Sequence, residues 1–168
     1  MPAMPSNIPA QLNGYQQLVR LFIERLFSWV LIPTFCLRYG TAGTRAQQQL
    51  LQHLPVGTVG RAVADLLAAH RLQLIPGYEN HDLKHVLLGY AMTPDDELRL
   101  KAFMLGNGDW SVASLVLSLL VVLTPEQWPV LWQHYQRGRR SPCIVHWQLT
   151  NYASQDLASL RGLFPNCI

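Results

Sequence analysis

The sequence predicts an all-α protein, a single-domain bundle of about eight helices. Glycine and proline divide the 168 residues into segments of helical length. Within these segments apolar residues recur every three or four positions, and none alternates as a β-strand does. A chain of this length can bury one hydrophobic core, so we expect one domain over residues 11–168. Residues 1–10 carry three prolines and are predicted to form a disordered N-terminal tail.

Helix caps and helix breakers bound the predicted helices of the first half. Residues 11–31 place apolar side chains at helical spacing, and Pro33 ends or kinks that helix. A loop is expected over 74–80, before a helix that carries the most polar stretch of the chain. The other predicted helices run from Thr44 to about His53, from Thr58 or Gly60 through Ala68, and from about His81 to Tyr90.

Two threonine–proline steps mark helix starts in the second half, at Thr93 and at Thr124. The first helix should run from Pro94 to about Leu105 and the second to about Gln136. The apolar stretch over 110–123 is predicted to be the central helix of the bundle. The remaining predictions are a turn over 106–109, a basic loop over 137–142, a helix or short strand over 143–149 and a closing helix over 155–163.

The composition points to apolar surface that a partner, a membrane face or a lipid could cover. Apolar residues make up 49% of the chain, charged residues only 14%, and the mean hydropathy is +0.10. The net charge of +3, with no basic stripe interleaved with aromatics, excludes a nucleic-acid partner. No apolar stretch reaches the roughly 20 residues of a membrane span. We therefore expect association with a membrane surface.

The cysteines and the N-terminus indicate the compartment. Three cysteines without framework spacing fit a reducing environment. The first residues resemble neither a secretory signal nor an arginine-rich transit peptide. We expect a bacterial-type cytoplasmic chain that is peripherally associated with the membrane.

The most informative stretch begins at His81 and Asp82 and continues to His85, with Glu97 twelve residues later. On a helix the two histidines lie on one face, about 6 Å apart along the axis, and Asp82 shares that arc. Glu97 enters from the next predicted helix. Two imidazoles and up to two carboxylates can hold a divalent metal ion. Alternatively, the histidines are structural, Asp82 is a solvated acid, and Glu97 forms a surface ion pair with Lys101.

Four further residues are candidates for binding a substrate. Gly89 lies one turn after His85 and would let a substrate approach the metal, or would allow close helix packing. Arg137, Arg139 and Arg140 form a basic cluster that could hold an anionic head group. The alternative is a solvated loop or a contact with acidic lipids. The remaining histidines are predicted to be structural or exposed: His53, His70, His134 and His146.

The pattern H-D-x-x-H, eleven residues and E resembles the motif of the coenzyme Q (ubiquinone) biosynthesis protein Coq-four family. Asp96 stands where many members have glycine, and residues 1–50 match weakly. The resemblance covers roughly residues 50–165 and makes 11–168 a Coq-four-like helical domain. Further similar segments are Leu54–Arg61, Pro76–Asn80, Glu97 with Lys101, Arg137–Arg140, Trp147, Tyr152 and Leu157–Arg161.

This resemblance implies metal-dependent chemistry on a polyprenylated hydroxybenzoate-type ring: decarboxylation with hydroxylation at that carbon. The metal, zinc first and iron, manganese, cobalt or magnesium as alternatives, would be held by His81, Asp82, His85 and Glu97. The expected partners are a prenylated quinone precursor, a membrane surface and other quinone-biosynthesis enzymes, with a homodimer left open. A non-catalytic scaffold or lipid carrier is the alternative function. A hydrolase of the H-D phosphohydrolase type finds no support in the spacing.

Overall fold

The computed structural model describes residues 13–26, 29, 33, 37, 44–111, 114–115 and 119–164. Within these ranges it is helical and contains no strand, which confirms the all-α prediction. Short 3₁₀ helices cover Leu119–Leu123 and Pro125–Gln127. The α-helices are α1 (Gly14–Leu26), α2 (Thr44–Gln52), α3 (Val59–Ala69), α4 (Glu79–Leu88), α5 (Pro94–Gly106), α6 (Trp128–Arg140), α7 (Leu149–Tyr152) and α8 (Leu157–Arg161).

Side-chain caps begin several helices where the sequence predicts them. Thr58 accepts a hydrogen bond from the backbone N–H of Arg61, at the start of α3. Thr93 accepts from the N–H of Asp96 at the start of α5, where Pro94 occupies the first turn. Helix α4 begins at Glu79, two residues before the predicted start, and ends where Gly89 adopts the left-handed conformation with φ 77°.

Helix α4 lies between two parts of the core. Leu83 and Val86 pack in a cluster with α3 and α7, whereas Leu87 and Leu88 pack in a second cluster with α5. Seven of its ten residues are buried, including both histidines and Asp82. The motif helix is therefore itself a central element of the bundle.

The prediction of a central helix over 110–123 was wrong for the part that the structure describes. Trp110 is 63% exposed, Leu115 43% and Val122 66%, and the end of the stretch is a 3₁₀ helix. Helices α3 to α5 fill the interior, whereas Trp110, Leu115 and Val122 lie at its edge. There the Leu123 carbonyl accepts a hydrogen bond from the Tyr15 hydroxyl of α1.

Two glycines let α5 and α6 touch backbone to backbone. A Cβ on Gly106 would collide with the carbonyl of Tyr135, and one on Gly138 with the carbonyl of Phe103. Helix α6, which packs through this contact, extends to Arg140. The predicted basic loop was therefore wrong for residues 137–140. Arg137, Arg139 and Arg140 lie in the last turn of α6, where positive charge interacts favourably with the helix dipole.

Residues 143–148 form neither the predicted helix nor a strand. The side chain of Asn107 binds this segment: its amide donates to Pro142 O, and its carbonyl accepts from Ile144 N. These bonds occupy backbone groups that a regular element would use. The predicted closing helix over 155–163 is the shorter helix α8, and α7 precedes that range.

Several predictions fall on residues outside the described ranges. They include the N-terminal tail, most of residues 27–43, Cys36 and Cys167. Cys143 is exposed with a free thiol. Among the described residues, no helix combines the length and apolar character that a membrane crossing requires. The single-domain boundary stays a prediction.

Candidate metal centre

Three side chains from α4 and α5 converge at one point. His81 and His85 stand one turn apart on α4, and their Nε2 atoms lie 2.9 Å from each other. Oε1 of Glu97, in the first turn of α5, lies 3.2 Å from Nε2 of His81 and 3.0 Å from Nε2 of His85. The Thr93 cap and Pro94 fix the start of α5 and thereby the position of Glu97.

The centre is buried. His85 is fully inaccessible, His81 is 8% exposed, and the Glu97 side chain is 15% exposed. The Nδ1–H of His85 donates to the backbone carbonyl of Tyr90 across 3.2 Å. This bond selects the tautomer whose Nε2 faces the other two groups, as carbonyl partners do for metal-binding histidines.

The protonation states depend on the competition between burial and the Glu97 charge. Burial lowers the pKa of His81 to about 4, so this imidazole is neutral at pH 7. Burial also lowers the pKa of His85, but the hydrogen bond and charge of Glu97 outweigh it and raise that pKa overall. Burial raises the pKa of Glu97, yet the two histidines hold it well below its usual range. The Glu97 carboxylate therefore favours a proton on His85, and a metal ion would replace that proton.

The donor set fits a divalent cation. The three ligand atoms form a triangle with sides of 2.9 to 3.2 Å. Metal–ligand bonds of about 2.0–2.1 Å require donor separations of roughly 2.9–3.4 Å, so little movement is needed. Oε2 of Glu97 is buried without a hydrogen-bond partner, as expected of a carboxylate that completes its bonding through an ion. His81, His85 and Glu97 can therefore hold a metal ion.

Asp82 does not belong to this group of three. Its carboxyl is 4% exposed, makes no hydrogen bond within the described chain, and has its pKa raised by burial to about 7. Neighbouring residues of a helix point about 100° apart, so Asp82 cannot share the direction of His81. Its role as a fourth ligand stays a prediction.

Two partly buried lysines lie on the helices that carry the ligand residues. Partial burial lowers the pKa of both Lys84 on α4 and Lys101 on α5. Lys101 lies one helical turn after Glu97, but no ion pair joins the two side chains in the described structure. The alternative interpretation of Glu97 as half of a surface ion pair was therefore wrong.

A cleft of about 420 Å³ has His85 in its wall, beside the metal centre. Gly89 borders this cleft, and a Cβ built on it would meet nothing within 4 Å. The alternative of close helix packing at Gly89 was therefore wrong, and the space beside it is open. The apolar side chains of Ala62 and Leu66 from α3 and Val86 from α4 line the cleft, together with the charged residues Asp65 and Arg161.

A second cleft, of about 600 Å³, shares Gly89 and Tyr90 with the first. Arg137 lines it, whereas Arg139 and Arg140 are exposed at the end of α6 and do not. His134 also lines it and is buried, while His53, His70 and His146 are exposed as expected. The sequence interpretation missed Arg99 and Tyr90, because only the packing of α5 and α6 places them there. The spacing of His134 and Arg137, one turn apart, was the available signal.

The fold is similar to that of a solved protein from Nostoc punctiforme, provisionally named as a ubiquinone biosynthesis protein. The TM-score is 0.52 at 20% sequence identity, covering 88% of this chain and 80% of that one. No family model and no curated protein matches the sequence. The likeness shows a shared helical fold, and the Coq-four resemblance stays a prediction.

Proposed function

We propose that this protein performs metal-dependent chemistry in ubiquinone biosynthesis, on a polyprenylated hydroxybenzoate-type ring. The reaction would replace the ring carboxyl group by hydroxyl and release carbon dioxide; an oxidant must supply the oxygen atom. The observation that carries the proposal is the buried meeting of His81, His85 and Glu97 beside an open cleft. The provisional name of the Nostoc punctiforme protein of similar fold also supports it.

His81, His85 and Glu97 would hold the ion, zinc first and iron, manganese, cobalt or magnesium as alternatives. A bound divalent ion would supply a Lewis acid to the ring oxygens. The Tyr90 carbonyl keeps His85 in one orientation. Ala62, Leu66 and Val86 would contact the prenyl tail.

A membrane surface is the partner that the exterior supports best. Helix α1 exposes Leu18, Leu21 and Phe22 at helical spacing, with 66%, 48% and 51% of each residue accessible. An apolar helix face on a chain with net positive charge is suited to an acidic bilayer surface. Binding to other quinone-biosynthesis enzymes and homodimer formation stay predictions.

A carrier of prenylated intermediates is the second candidate. The apolar lining of the cleft at His85 supports it, because tail binding needs buried methylenes and no chemistry. Each buried methylene contributes roughly 0.8 kcal/mol. In a carrier the metal centre would only join α4 to α5.

A paired assay on Glu97→Ala separates the two functions. An enzyme should lose turnover of a prenylated hydroxybenzoate, measured as carbon dioxide release, while fluorescence titration shows an unchanged affinity for the tail. Glu24→Ala is the control, because Glu24 is exposed on α1. Full complementation of the pathway by Glu97→Ala, with its metal lost, would refute the catalytic function and favour the carrier.

A further inference from the structure

The second cleft carries more positive than negative charge. Arg99 projects from α5 and Arg137 from α6, both on its wall. Asp96 is the acid of the wall, and both of its oxygens are engaged. Oδ1 accepts from Arg99 Nη1 at 2.8 Å, and Oδ2 from the backbone N–H of Ala91 at 2.9 Å. The cleft therefore holds two cationic side chains and one carboxylate, and both oxygens of that carboxylate already accept hydrogen bonds.

Arg99 has donors to spare. Its hydrogen bond to Asp96 uses Nη1, while Nε is buried without a partner and Nη2 makes no hydrogen bond in the described structure. A guanidinium presents its N–H groups as a fork that matches carboxylate and phosphate oxygens. Leaving such donors unpaired costs free energy, and an oxyanion would recover it.

A network of side chains holds the opposite wall in place. Arg137 donates to the Tyr90 hydroxyl across 3.2 Å and lies over the rings of Tyr90 and Phe103. The Tyr90 hydroxyl lies 2.7 Å from Nδ1 of His134 and donates to it, because Arg137 supplies the other bond. The Arg137 guanidinium is thereby fixed at the cleft rather than moving freely at the surface.

We propose that this cleft is an oxyanion-binding site, separate from the metal centre, that takes a carboxylate or phosphate group between Arg99 and Arg137. The two sites are neighbours through Tyr90. Its backbone carbonyl accepts from His85, and its hydroxyl contacts His134 and Arg137. Gly89 borders both clefts, and a Cβ built on it would meet nothing within 4 Å. The anion site does not require the metal chemistry.

Calorimetric titration with inorganic phosphate and with benzoate tests the site. The full-length protein is titrated at low ionic strength with a chelator present, so that no anion binds through a metal ion. We expect millimolar affinity, weakened about tenfold by Arg99→Gln. Arg139→Gln is the matched control, because it removes the same charge from the exposed end of α6. It should weaken binding less than twofold.

Gly89→Asp and Gly89→Asn form a second matched pair. Both residues tolerate the left-handed conformation of Gly89, and they differ only in charge. The Asp variant should lose anion binding and the Asn variant should largely keep it. This pair keeps the test decisive if Arg99→Gln fails to fold.

Preference for phosphate or for benzoate would identify the natural anion as a phosphate or a carboxylate. Three results would overturn the proposal: no binding by the wild type, equal weakening by Arg139→Gln and Arg99→Gln, or equal binding by the two Gly89 variants. Glu97→Gln should lose metal and still bind the anion. The failure of either site is thus distinguishable from the failure of the other.

Discussion

Glu97→Gln should remove metal binding without opening a cavity, since the two side chains are nearly the same size. Oε1 of Glu97 contacts both imidazoles, so the exchange removes the negative charge shared by the whole donor set. Loss of groups that merely orient a ligand weakens metal binding about 10–100-fold. Loss of the ligand charge itself should therefore exceed about 100-fold, or ~2.7 kcal/mol.

A thermal melt in the presence of zinc measures this loss. With metal at 100 times its dissociation constant, the wild type should gain about 2.7 kcal/mol, which raises the midpoint by roughly 5–11 °C. At the same metal concentration Glu97→Gln should gain at most ~0.4 kcal/mol, or about 1–2 °C. Elemental analysis of the dialysed proteins gives the stoichiometry independently.

Glu24→Gln is the matched control for this exchange, because Glu24 is exposed on α1 and distant in sequence from the centre. It should keep the full metal-dependent rise in midpoint. The same stoichiometry and the same rise in Glu97→Gln as in the wild type would refute the metal centre.

Three further predictions concern pH, packing and the membrane. Burial and the charges of Arg99 and Arg137 lower the pKa of His134 to about 4. Between about pH 4 and pH 6.5 the folded state therefore binds fewer protons than the unfolded state. The contribution of His134 to stability is complete above about pH 6.5 and is lost as the pH falls. At about pH 5 the pKa difference alone would remove about 2 kcal/mol, and we expect half of it because solvent screens the cleft. Urea unfolding should therefore show that the wild type loses about 1 kcal/mol more than His134→Asn between pH 7 and pH 5. Gly138→Ala should destabilise the protein by roughly 1–3 kcal/mol, because the added Cβ collides with α5. Gly14→Ala is the control and should not destabilise it, because a Cβ there meets nothing within 4 Å. An unchanged melting temperature of Gly138→Ala would contradict the packing of α5 on α6. The protein should float with acidic liposomes at low salt and dissociate at high salt, and failure to float would contradict membrane association.

Much of the metal centre was predictable from the sequence because its geometry is local. The four-residue spacing of His81 and His85 places them on one face of any helix, and the Thr93–Pro94 step begins the next helix just before Glu97. The approach of Glu97 to within 3.2 Å of both histidines is consistent with that hairpin. Helical periodicity alone does not show whether Asp82 points towards His81, His85 and Glu97.

The second cleft was not predictable in the same way. Tyr90 and His134 are 44 residues apart in sequence and meet only because Gly106 and Gly138 let α5 and α6 touch. The basic cluster at residues 137–140 looked uniform in the sequence. Helix α6 points these arginines in different directions. Arg137 lines the cleft, whereas Arg139 and Arg140 are exposed.

The sequence by itself determined the helical class, most helix starts and the shared face of His81 and His85, because capping and helical periodicity act over a few residues. Only the tertiary structure decided which apolar segment fills the interior. The stretch over 110–123 is as apolar as a core helix, yet its described residues Trp110, Leu115 and Val122 are exposed, whereas α4, with its histidines and Asp82, is buried. Burial results from competition among segments for a limited interior, and the segments that pack most closely against their neighbours occupy it.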